Sequence, residues 1–145
     1  MINRQIHLIS RPQGALSADN FKLYLSNIPE LKEGEVLVRP LYLSVDPNMR
    51  GRMGGRPSIH PAFPLNQPAS GDGVGCVVES QHPDFSIGDH VYGFLEWADR
   101  CAVAGSDLIK VEGIPPEAIL SILGPTAMCA YFGLLDIAQP KSGED

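Results

Sequence analysis

The sequence predicts a mostly β domain with short helices at its carboxyl end, and three observations carry that prediction. Short runs rich in Val, Ile, Leu and Tyr alternate with turn residues as far as Val111. The 15 Gly and 13 Pro are spread along the chain between those runs, so they punctuate strands and do not mark disorder. After Pro115-Pro116 the apolar spacing becomes helical, over 117–123 and then 127–137. A chain of 145 residues is long enough for one domain that buries about two-thirds of its unfolded surface.

Taken in order, 2–11 and 20–26 read as two strands of a hairpin-like pair around the turn-rich stretch 12–19. A long strand over 35–45 follows the Lys-Glu-Gly turn at 32–34, and Pro40 within it predicts a bulge or an edge position. Asp46-Pro47 opens a short helical turn. The Asp46 carboxylate can accept the free amide hydrogens, and Pro tolerates the first helical position because its missing N–H had no partner there. Residues 51–67, rich in Gly, Arg and Pro, carry no periodic signal and read as a long loop of a length usually kept for function. Strands resume at 73–80, 90–94, 100–103 and 108–111, with Gly88-Asp89 as a tight turn.

The formal charge of −6 argues against a nucleic-acid partner, which needs clustered Lys and Arg. Arg50, Arg52 and Arg56 form the one basic cluster, too small to reverse that. No apolar run approaches the ~18 residues of a membrane span, and the opening MINRQIHLISRP lacks the apolar core of a signal peptide. Cys76, Cys101 and Cys129 are widely spaced and odd in number, which fits a reduced, cytoplasmic protein. No internal repeat, and no Ser/His/Asp or Cys/His constellation for hydrolysis, is present.

Three segments carry a resemblance: LYLSVDPNMRGRM at 41–53, SIGDHVYGFLEWAD at 86–99 and AMCAYFGLLDIAQPKSGED at 127–145. Together they resemble the zinc-free branch of the medium-chain dehydrogenase/reductase superfamily. That branch includes prostaglandin and leukotriene B4 reductases, 2-alkenal reductases and curcumin reductase. The resemblance runs over nearly the whole chain but only the amino-terminal half of the family. It implies a GroES-like β-barrel over 1–124, the catalytic, substrate-side domain. It further implies a connecting helix over 125–145 that leads toward an α/β nucleotide-binding domain absent from these residues.

For the site, the resemblance implies that 45–53 lies beneath the nicotinamide and lines the substrate cleft. Pro47 and Asn48 then fall at the cofactor, and Asn48 and Arg50 in the substrate pocket. Many relatives carry an aromatic where Asn48 stands. Asn48 can donate and accept hydrogen bonds but cannot stack on an extended enone, which bears on substrate preference and not on reaction type. Asp46 reads as the start of the helix. Relatives read Gly-Met-(Pro/Thr)-Gly-Leu-Thr-Ala-Tyr where this chain has 124–131, so Pro125 replaces the Met and Cys129 the Thr that approach the nicotinamide. A thiol bonds more weakly than a hydroxyl, and packing is the alternative role for Cys129, since no flanking His or Lys lowers its pKa.

Zinc-dependent members of the superfamily place a ligand His where Gly71 stands, and the four His are far apart without ligand spacing, so no metal is expected. The run Gly71-Asp72-Gly73-Val74-Gly75 hints at a phosphate cradle, but Cys76 breaks the fingerprint and GCVVES continues as strand. Those glycines read as sites of close backbone approach, and Trp97 as packing.

The activity implied is NADP(H)-dependent reduction of the C=C bond of a small enal, enone or quinone, in a homo-oligomer such as a dimer. The catalytic Tyr of the family lies outside these residues, so the chain alone is expected to be inactive. Within enzymes the alternative is a quinone or enoyl-thioester reductase of the same superfamily. From another class the alternative is a stand-alone GroES-like binding or assembly module.

Overall fold

The computed structural model describes residues 2–55 and 60–143. Among the described residues, eight strands form two sheets. The first holds β1 (Ile2–Leu8), β2 (Phe21–Asn27) and β4 (Gln67–Pro68) in the order β2-β1-β4. The second holds β3 (Glu35–Leu43), β5 (Ser70–Ser80), β6 (His90–Glu96), β7 (Cys101–Ala104) and β8 (Leu108–Val111) in the order β7-β3-β5-β6-β8. All pairings are antiparallel. Helix α1 (Pro47–Met53) lies between β3 and β4, and α2 (Pro116–Leu120) and α3 (Pro125–Tyr131) follow β8, the last running on into a π-helical turn, Phe132–Ala138. This is the mostly β, GroES-like fold with short carboxyl-end helices that the sequence predicts, its barrel open as a curled half-barrel.

The five-stranded sheet curls around Val36, Val38, Val77, Phe85, Val91, Leu95, Cys101 and Leu108. Gly75 shows why glycine stands on that inner face. A Cβ there would lie 2.3 Å from Val38 Cγ1 and 2.8 Å from the Arg39 carbonyl oxygen. The glycine run is therefore strand, closely approached from one side, and not a phosphate loop. A second core of Leu8, Met49, Met53 and Phe63 joins α1 to the hairpin, with Phe21 and Trp97 against it.

The two sheets are stitched by β1. Gln5 bridges Ala98, and the buried Asn3 side chain imitates a strand, donating to the Arg100 carbonyl and accepting from the Arg100 amide, both at 2.9 Å. Pro40 falls at a register shift in β3, and β3 lies between β7 and β5. The bulge lies beyond Val38, the last residue of β3 that β7 pairs, so Pro40 has a ladder partner on one side only and its missing donor is accommodated there.

Some boundaries differ from expectation. β1 ends at Leu8, where the chain turns away so that Arg11 can reach α1. α1 extends to Met53, into the stretch that reads as loop, because Met49, Arg52 and Met53 find burial there. Arg11 steadies its far end, donating to the carbonyls of Arg52 (3.2 Å) and Met53 (3.0 Å), a favourable place for a cation. Arg56 lies outside the described residues.

Candidate functional site

Strand alternation gives β5 and β6 two unlike faces. Gly71, Gly73, Gly75 and Val77 turn inward, while Asp72, opposite Phe94, and Val74, opposite Tyr92, turn outward. Tyr92 is the diagonal neighbour of Asp72 across that pair, within reach of a long aromatic side chain. Its hydroxyl donates to Asp72 Oδ1 at 3.0 Å. Burial, aided by the bond to Asp72, pushes the Tyr92 phenol up to about 12. Tyr92 therefore stays protonated at any physiological pH.

A cleft of about 220 Å³ opens over this outer face. It is lined by Ser44 and Asp46 before α1, Asn48 in its first turn, His60, Asp72, Leu120 from α2, and Pro125 and Thr126 opening α3. The chain thus brings the turn after β3 and the start of α3 to one wall. Asp46 occupies the N-cap position with extended backbone, but its side chain makes no capping bond and lines the cleft instead. Pro47 takes the first helical position, as its missing donor predicts.

Arg52 fixes the rim. It is 5% exposed, and its guanidinium lies 3.9 Å from the Phe63 ring centroid and 4.9 Å from that of Phe94. Its Nε donates to the Pro61 carbonyl at 2.9 Å and its Nη1 to the Ser70 carbonyl at 3.5 Å. Burial lowers its pKa and the Asp72 charge partly restores it, so cation and carboxylate sense each other. The clamp ties 60–63 to β5 and leaves His60 beside Phe94, centroids 5.4 Å apart.

The predicted site residues are dispersed by this geometry. Asn48 and Pro125 share the cleft. Arg50 lines a separate polar hollow with Pro12, Gln13 and Gly14, donating to the Gly14 carbonyl. Cys129 is an exposed free thiol one turn beyond Pro125, in an apolar groove of about 530 Å³ with Met128, Phe132 and Ile137. Trp97 packs against the second core and stacks on Phe21 at 6.2 Å. His60, Asp72, Tyr92, Thr126 and Arg52 are functional candidates that sequence reasoning missed. No local sequence signal marks them: the register of β5 on β6 brings Asp72 and Tyr92 together, and the path of the loop brings His60 to the cleft.

At Gly71, any Cβ would lie 2.1 Å from the Met49 methyl, so the thioether fills the space a ligating side chain would need. Among the described residues, no group of three or more His, Cys, Asp or Glu could hold a metal ion. Nor is any helix among them long and apolar enough to cross a membrane.

Known proteins agree with this architecture. Residues 4–111 match the family described as the N-terminal domain of oxidoreductase. The NADPH-dependent curcumin reductase of Escherichia coli (strain K12) is 45% identical over 144 residues, which is 98% of this chain and 42% of that protein. Prostaglandin reductase 1 of Rattus norvegicus is 35% identical over 139 residues, 91% of this chain and 40% of that protein. Among solved structures, CurA from Vibrio vulnificus in complex with NADPH superposes with a TM-score of 0.85 at 39% identity, covering 97% of this chain and 42% of that one. The chain thus spans about two-fifths of the length of the relatives it matches. It belongs to the oxidoreductase N-terminal-domain family, in the medium-chain dehydrogenase/reductase branch that holds the curcumin, prostaglandin and 2-alkenal reductases.

Proposed function

We infer that the protein carrying this chain is a zinc-independent, cytoplasmic, NADPH-dependent oxidoreductase that reduces the C=C bond of α,β-unsaturated aldehydes or ketones. Residues 1–124 form its substrate-side domain, and 125–145 connect to a nucleotide-binding domain. One observation carries the reading: a single cleft joins Asn48, from the turn after β3, to Pro125 and Thr126, at the start of α3. About 220 Å³ admits one ring and a substrate fragment, not a dinucleotide. The fit is therefore to the nicotinamide end only, with Asn48, Pro125 and Thr126 as the residues that would hold it. When bound, NADPH supplies the hydride.

These residues do the remaining work. Leu120 and Pro125 exclude water from one side of the cleft. Ser44, Asn48 and Thr126 offer hydroxyl and amide donors to a carbonyl oxygen that gains negative charge as the β-carbon is reduced. Arg52 keeps the opposite rim in place.

The test is NADPH consumption by the intact protein with 2-alkenals, enones and 1,4-quinones, with product identification. Saturated carbonyl products are expected. Quinone turnover without enone turnover would move the assignment to the quinone-reductase relatives. The 145 residues by themselves are expected to be inactive and to capture NADPH poorly. Enzyme-like turnover by that chain would overturn the division of labour.

A further inference from the structure

We propose that Asp72 is the specificity-determining residue of the cleft, selecting neutral substrates that carry a hydroxyl or phenol over substrates that carry a carboxylate. The inference rests on the enone-reductase reading and names the substrate class of the same site.

Charge comes first. Asp46 and Asp72 both line the cleft beside the His60 imidazole, and among the described residues no Lys or Arg does, so carboxylates outnumber the groups there that can carry positive charge. Arg52, the cation that senses Asp72, offsets part of that charge but offers no hydrogen bond to a ligand. It is buried against two rings, and its bonds go to carbonyl oxygens behind the wall. Hydrogen-bond capacity comes second. A carboxylate only accepts, and Tyr92 already donates to Oδ1. Among the described residues, Asp72 Oδ2 takes no hydrogen bond, although the carboxylate lines the cleft. A ligand hydroxyl or phenol can donate to that oxygen, but a ligand carboxylate would bring a like charge against two others. Tyr92 is the positioning residue: it occupies one oxygen and keeps its own proton, so the acceptor left over is always the same one.

The experiment measures binding without turnover, by calorimetry on the intact protein with NADP(H) present. Two saturated ketones of matched length serve as ligands, one with a terminal hydroxyl and one with a terminal carboxylate. The hydroxy ketone is expected to bind on the order of tenfold more tightly, as like charges several ångströms apart in a partly screened cleft require. Asp72→Asn should erase most of the difference, chiefly by improving the carboxylate ligand. Tyr92→Phe keeps the charge and should keep the discrimination against carboxylate, while changing affinity for the hydroxy ketone. Salt provides a variant-free control: at about 1 M ionic strength, where screening acts within ~3 Å, the discrimination should shrink.

Equal affinities in the parent protein, or a preference untouched by both Asp72→Asn and salt, would overturn the proposal. Kinetics with the matching unsaturated pair separate the two levels. Loss of turnover with both enones sinks the reductase reading and this inference with it. Turnover with equal kcat/KM for both sinks Asp72 alone.

Discussion

The curled sheet and the carboxyl-terminal helix of this chain obey opposite rules. In the sheet, Val36, Val38, Val77, Val91 and Leu95 are fully buried, and Gly73 and Gly75 stand where Leu95 and Val38 approach closely. From Pro125 to Ala138 no residue is buried, although Met128, Phe132, Leu134, Leu135 and Ile137 are all large and apolar, and Ile137 is 83% exposed. The sheet satisfies itself. The helix carries the pattern of a buried element without the burial, so its apolar character is addressed to something other than this sheet. The cleft lies where the two meet, with one wall from each.

The sharpest way to break the comparison is to damage the self-sufficient part. Leu95→Ala removes a fully buried side chain from the main core and should cost about 2–5 kcal/mol, read from chemical denaturation. A loss below 1 kcal/mol would mean the core collapses around the gap and is far less rigid than its packing indicates.

Arg52→Met comes next. It keeps the bulk between Phe63 and Phe94 but orphans the Pro61 and Ser70 carbonyls, at a cost of about 1–3 kcal/mol. Lys should rescue only partly, because an ammonium cannot stack flat between rings and donate sideways at once. Full rescue by Lys would show that charge alone holds the rim.

Arg52 also shows what could and could not be read from the sequence. The strands were legible because alternation and β-branching act locally, and Pro47 announced its helix through its own missing hydrogen. The resemblance implies the pocket for both Asn48 and Arg50, yet two residues apart on a helix point about 200° apart. The structure accordingly gives the cleft to Asn48 and the Gly14 carbonyl to Arg50. From the sequence Arg52 is only one member of a small basic cluster, since nothing local reveals that Phe63 and Phe94 will enclose it. Asp72 and Tyr92 needed the register between β5 and β6, and His60 needed a loop path. Neither has a sequence signature.

A smaller effect sharpens the outer-face argument. With its pKa raised to about 12, Tyr92 ionises later in the folded chain than in the unfolded one. The stabilisation it brings is whole below about pH 10 and is lost as pH rises toward 12. Absorbance titration near 295 nm should show one late tyrosine, and Asp72→Asn should advance it only in part, because burial is the larger cause. A late tyrosine restored fully to about 10 in that variant would make the Asp72 bond the main cause.

Polar substitution of the helix should be nearly silent in stability and loud in association. Leu134→Ser with Ile137→Ser is expected to change unfolding by no more than about 0.5 kcal/mol, as at other exposed sites. The unsubstituted 145-residue chain should self-associate in light scattering, and the double variant should do so less. A strict monomer at high concentration before substitution would remove the contrast on which the comparison rests.

The last test probes the seam that lets the sheet stand alone. Arg4 Nε donates to both Asp99 oxygens, Oδ2 at 2.9 Å and Oδ1 at 3.2 Å, Nη2 donates to Oδ1 at 2.9 Å, and the backbone amide adds a bond to Oδ2 at 3.0 Å. The Arg4 side-chain bond, then the backbone bond, holds the Asp99 carboxyl below the ordinary Asp value. A depressed carboxylate stabilises the fold above its unfolded pKa, near ~4, and that help disappears as pH falls through the lower folded value. Arg4 is exposed and Asp99 half-buried, so the effect is small and salt weakens it further. Urea midpoints at about pH 6 and about pH 3 should therefore drop more in the parent chain than in Asp99→Asn, which has no carboxyl to protonate. An equal drop in both would mean that Asn3 and the main-chain bonds close the seam without the ion pair.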